Sequence, residues 1–137
     1  MAEKTTAKTA STAALAYLGD CIVEKCARTF LVEAGLSSSA HLNRAALRFV
    51  KADAQAEASL KIADMLSEDE AIAFRRGRNI GHTNTPKSAT VAQYRAATGL
   101  EALFGYLSLE GRHERIDELF RIAYADKIEE VEKEMEK

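Results

Sequence analysis

The sequence predicts an all-α domain, and three observations carry that reading. Alanine is abundant, while Val, Ile and Thr form no alternating runs, a balance that favours helix over sheet. Apolar stripes recur at helical spacing. Cap and stop signals divide the chain into five segments, with one proline and no strand-like stretch among them. At 137 residues and 47% apolar content, the chain fits one domain whose core needs no disulfide or structural metal. Residues 1–10 are polar and expected to be flexible, and 11–137 are expected to form the single domain.

The first helix is expected over 11–33, with Ser11 or Thr12 as N-cap and Gly35 as its stop. Leu15, Leu18 and Ile22 form its predicted core stripe. Ser37, Ser38 and Ser39 cap one long helix over 40–66. Ser67 and Glu70 have capping-box spacing and open a short helix ending near Arg78. The Gly, Asn, Thr and Pro content of 79–89 predicts a loop. A helix over 90–109 follows, closed by Gly111, with Leu100, Leu103, Phe104 and Leu107 as its core stripe. One amphipathic helix is expected over 113–134.

The net charge of −2 excludes a uniformly basic nucleic-acid binder, but the distribution is uneven. Between 71 and 100 there is no Asp or Glu, yet Arg75, Arg76, Arg78, Lys87 and Arg95 all fall there. That pattern predicts one anion-binding face. Arginine pairs with phosphate bidentately and lysine acts as a point charge. Asn79, Thr83, Asn84, Thr85, Ser88 and Thr90 supply neutral groups in the same stretch. A solvated surface loop is the plainer reading of these residues. Cys21 and Cys26 point apart around one helix, so neither a disulfide nor a shared metal is expected, and both are read as buried thiols. No apolar run is long enough to span a membrane and no secretory block opens the chain, so a cytoplasmic location is expected.

Two carboxylates stand out. Asp20 falls roughly opposite the predicted stripe of its helix, near Ala13, Ala16 and Glu24. Glu101 lies off the core stripe of its own helix, near Thr98 and Gly105. Gly105 in mid-helix implies a close approach by another helix or by substrate. Taken singly, each carboxylate is compatible with an ordinary paired or exposed side chain. Together they invite a hard divalent cation, which accepts one or two carboxylates plus waters and phosphates. A di-iron bundle would need Glu-x-x-His pairs, and there are none. There is also no Ser-His-Asp arrangement, Gly-rich phosphate loop or CxxC, and His41 and His113 are read as solvent-facing.

Three segments together resemble one family. LAYLGDCIVEKCAR (15–28) is similar to the first helix motif of ribonuclease III domains. RRGRN (75–79) and PKSATVAQYRAATGLEALFGYLSLEG (86–111) are similar to the distal half of that domain. HLNRAALRFVKADAQA (41–56) adds to the likeness, which is closest to the small bacterial branch called Mini-ribonuclease III and covers about 12–125. The resemblance implies a helical, homodimeric, Mg²⁺-dependent endoribonuclease that hydrolyses double-stranded RNA to 5′-phosphate and 3′-hydroxyl ends. It implies a task in 23S ribosomal RNA precursor maturation, with a large-subunit ribosomal protein as a candidate partner. Asp20 and Glu101 match the family's catalytic, metal-holding carboxylates. Ala16 and Thr98 stand where larger members carry a glutamate and an aspartate, a reduced set typical of the small branch. Arg75, Arg76, Arg78, Asn79, Thr85, Lys87 and Arg95 are the expected RNA contacts. The alternative is an inactive RNA-binding or ribosome-associated module of the same fold.

Overall fold

Most helices begin where the sequence supplies a side-chain cap. The Ser11, Ser38, Ser67 and Thr90 hydroxyls each accept a backbone N–H three residues on, which opens α1 (Thr12–Glu33), α2 (Ser39–Val50), α4 (Glu68–Arg78) and α5 (Val91–Leu109). Ser67 and Glu70 complete the expected capping box, and Thr90 with Gln93 forms a second one. Gly35 and Gly111 close α1 and α5 with φ of 105° and 71°, the left-handed conformation that glycine adopts without a Cβ penalty. The remaining helices are α3 (Ala52–Ile62), α6 (His113–Ala123) and α7 (Ala125–Met135), with a 3-10 turn at Ala63–Met65. A computed structural model describes residues 3–80 and 89–137, and no strand occurs among them.

Two expected helices are each split in two. The helix expected over 40–66 breaks at Lys51, whose backbone is extended. The helix expected over 113–134 breaks at Tyr124. Neither break has a proline or glycine to announce it, and one tertiary contact joins them. The Tyr124 hydroxyl donates to the Phe49 carbonyl at 2.8 Å, satisfying an acceptor near the C-terminus of α2. The Phe49 and Tyr124 rings also pack together with Phe120. Burial of this aromatic group offsets the loss of helix continuity.

Helix α5 is central and packs against α1, α3, α4 and α6. Its predicted stripe of Leu100, Leu103, Phe104 and Leu107 is fully buried. On α1 the expected stripe is corrected: the buried residues are Leu15, Gly19, Val23, Ala27 and Leu31, while Leu18 and Ile22 are half-buried. Small residues take the inner face because α5 approaches so closely. A Cβ on Gly105 would lie 1.9 Å from the Leu15 carbonyl oxygen, so Gly105 answers to a neighbouring helix. The cysteines also differ from expectation: Cys21 is exposed, and only Cys26 is partly buried. Burial pushes the Cys26 thiol up to about 11, so it is a poor nucleophile. Part of the stretch expected to be flexible is packed, with Ala7 and Ala10 buried and the Ala10 N–H bonded to the Thr6 carbonyl at 2.8 Å. His113 is exposed as expected, and His41 is half-buried. No helix among the described residues is long and apolar enough to cross a membrane.

Candidate active site

The crossing of α1 and α5 joins Asp20 to Glu101. A Cβ on Gly19 would lie 1.5 Å from the Glu101 carbonyl oxygen, so α1 presses on α5 at residue 101 itself. Only a residue without a side chain permits that approach. Asp20 follows Gly19 directly and is set beside Glu101, close enough for the two carboxyl groups to act on each other. Asp20 is exposed. From Ala97 to Leu107 every residue is buried except Glu101, which is partly open. The central helix thus shows solvent a single carboxyl group along this stretch.

Burial, together with the hydrogen bond and charge of Asp20, pushes the Glu101 carboxyl up to about 8. The Gln55 side chain on α3 acts in the opposite direction. Among the described residues no arginine, lysine or histidine contributes to this balance. Two carboxylates held together without a cation, one of them half withdrawn from water, fit a hard divalent ion. Such an ion accepts one or two carboxylates and fills the rest of its shell with waters and substrate phosphate. The described residues contain no cluster of three or more His, Cys, Asp or Glu suited to a metal. The buried Thr98 hydroxyl donates to the Tyr94 carbonyl of its own helix at 3.0 Å. Ala16 packs against the core.

Arg75, Arg76, Arg78 and Asn79 are exposed at the end of α4, and Arg95 is exposed on α5. None of these arginines forms an ion pair among the described residues. At about 100° per residue, Arg76 and Arg78 fall on opposite flanks of α4 with Arg75 between them. Arg76 borders a small cleft with Lys8 and Tyr106. Thr85 and Lys87, with Thr83, Asn84 and Ser88, lie outside the described residues. A groove of about 610 Å³ between α1, α6 and α7 is lined by neither Asp20 nor Glu101.

Sequence reasoning missed Gln55. Its one available signal was a polar residue on the inner face of an alanine-rich helix, one and two turns from Ala58, Ser59 and Ile62.

The sequence of the ribonuclease III domain family matches residues 13–112. The chain belongs to the ribonuclease III family. It is an endoribonuclease of that family. It is 47% identical to Mini-ribonuclease 3 of Symbiobacterium thermophilum over 115 residues, covering 84% of this chain and 88% of that one. It is 42% identical to Mini-ribonuclease 3 of Brevibacillus brevis, covering 81% and 83%. A crystal structure of a Fusobacterium nucleatum protein superposes with a TM-score of 0.79 at 30% identity, covering 90% of this chain and 99% of that one. This ribonuclease III domain is therefore matched by relatives of similar length, and the all-α reading of the sequence agrees with the structure.

Proposed function

We propose that this ribonuclease III-family enzyme hydrolyses double-stranded RNA with a Mg²⁺ ion held by Asp20 and Glu101, leaving 5′-phosphate and 3′-hydroxyl ends. The observation that carries the reading is the pairing of these two carboxylates with no cation of their own. Bound there, Mg²⁺ would supply Lewis-acid stabilisation of the phosphate and an activated water. Asp20 and Glu101 provide the negative charge that attracts the ion. The buried α1–α5 crossing fixes their separation, so the ligands need little reorganisation on binding. Arg75, Arg76, Arg78 and Arg95, with Asn79, Thr85 and Lys87, position the duplex through its phosphates. A-form RNA is recognised mainly by shape and 2′-hydroxyls, so sequence preference is modest.

A homodimer in the cytoplasm acting on 23S ribosomal RNA precursor, with a large-subunit ribosomal protein as helper, completes the proposal. Support for the dimer comes from α1, which leaves Tyr17 84% and Val32 61% exposed. Side chains of that size left open on one helix suit an interface. The decisive experiment incubates purified protein with long duplex and single-stranded RNA, with Mg²⁺ or with EDTA. Cleavage of duplex alone, and only with Mg²⁺, is expected. Duplex binding without cleavage would overturn the reading in favour of an RNA-binding module.

A further inference from the structure

We infer that the acidic helix α7 stands in for an RNA backbone: its carboxylates occupy an anion-binding face on α2 and α3, and duplex phosphates take that face by displacing them. The inference rests on the proposed function, since it gives the duplex a second contact surface besides the arginines of α4 and α5. The face is built at helical spacing. His41, Arg44 and Arg48 fall within about 60° of one another around α2. With Ala45 and Glu134 they line a cleft of about 290 Å³. Arg44 is exposed and forms no ion pair among the described residues.

Each ion pair between α7 and these two helices places the acid on α7 and the cation on its neighbour. Arg48 Nη1 and Nη2 donate to Glu134 Oε1 and Oε2 at 2.8 and 3.3 Å, and Glu130 lies 3.9 Å from the same guanidinium. On α3 the Lys61 ammonium pairs with Asp126. Asp126, Glu130 and Glu134 are spaced four residues apart, so they form a ladder that rises about 6 Å per step. Phosphates repeat along an RNA strand at a comparable interval, and arginine meets phosphate with the same two-pronged fork that it gives a carboxylate. The hold is light. Helix α7 carries five acids against two lysines, and Val131 is its one buried residue. The Arg48 and Glu134 side chains are 34% and 48% exposed, and ion pairs this open to water add little stability. A duplex presents several phosphates at once and gains from counterion release, so it competes well for such cations.

The test measures affinity for a long RNA duplex against salt concentration, in EDTA. Glu130→Gln/Glu134→Gln removes the competing charge and keeps the helix. About fivefold tighter binding is expected, because an exposed ion pair no longer has to be broken, with a salt slope steeper by about one unit. Adding Arg48→Ala should abolish the gain. Glu129→Gln/Glu132→Gln makes the same change in net charge on the other faces of α7 and should bind close to wild type. Arg44→Ala in the Glu130→Gln/Glu134→Gln background breaks no ion pair and should lower the slope by about one unit. It keeps the test open if the Arg48 variant does not fold. A gain no larger than that of Glu129→Gln/Glu132→Gln, or one that survives removal of Arg48 and of Arg44, overturns the inference. Duplex binding by none of these proteins overturns the proposed function as well, so the two failures are distinct.

Discussion

Glu70 and Glu101 are both glutamates drawn out of bulk water on helices that pack together, α4 and α5, yet their surroundings push them in opposite directions. Glu70 is fully buried and accepts from Arg115 Nε and Nη2, both at 2.8 Å. It also accepts from the Ser67 N–H at 2.8 Å, and Arg115 in turn donates to the Met65 carbonyl. The Arg115 hydrogen bonds hold its carboxyl down near about 2. Glu101 faces Asp20 instead, and burial with that second carboxylate raises it. The protein supplies the countercharge in one place and withholds it in the other. An acid with an internal cation acts as a staple between helices, here joining α4, the 3-10 turn and α6. An acid pair without one has the charge character that the proposed cation would answer.

Substitutions should separate the two. The largest effect is expected from Asp20→Asn, which removes a charged ligand worth several kcal/mol of charge stabilisation, so duplex cleavage falls roughly a thousandfold. Circular dichroism and duplex affinity should be unchanged. Wild-type turnover by this variant would remove Asp20 from the site. Arg115→Met should do the reverse. It leaves a buried carboxylate with only the longer Arg112 contact at 3.6 Å, and a loss of about 3 kcal/mol is expected in urea denaturation, with kcat per folded molecule preserved. A loss under 1 kcal/mol would show that Glu70 is not stapled as described.

The pH dependence of stability sharpens the contrast. Glu70 is depressed in the folded state, so its contribution is fully present above its unfolded value of about 4.5 and is lost as pH falls through about 2. That contribution is on the order of 3 kcal/mol. Glu101 has the opposite sign. Being raised, it stabilises most below its unfolded value, and this is lost as pH rises through about 8. Acid unfolding followed with and without Glu70→Gln checks the first statement, because the variant should lose most of the slope below pH 4.5. The smallest effect is expected at a helix start. Ser67→Ala removes one half of the capping box and should cost about 1 kcal/mol, leaving cleavage intact.

What could be read in the sequence follows a physical division. Helix ends written in local chemistry were legible: Ser11, Ser38 and Ser67 as caps, Gly35 and Gly111 as stops. The breaks at Lys51 and Tyr124 were not, because they are stabilised by the Tyr124–Phe49 hydrogen bond, which links residues 75 apart in sequence. The inner face of α1 was misread for a related reason. Hydrophobicity pointed to Leu18 and Ile22, but the tight fit against α5 selects Gly19 and Ala27. Asp20 and Glu101 could be named from their motifs. Their adjacency and the missing countercharge needed the packing of α1 on α5. The arginines were visible as a run without acids, but helix geometry fans those of α4 around one end, a spread that residue spacing alone predicts and net charge does not.

The most direct test of the cation-seeking pair is the thermal midpoint of the RNA-free protein in EDTA and in Mg²⁺ or Mn²⁺, for the wild type and for Asp20→Asn/Glu101→Gln. The wild type should rise with divalent cation as binding to the folded state requires. The neutralised variant should stay folded in EDTA and should not respond to the ion. An equal rise in both proteins would place the cation elsewhere and contradict the account.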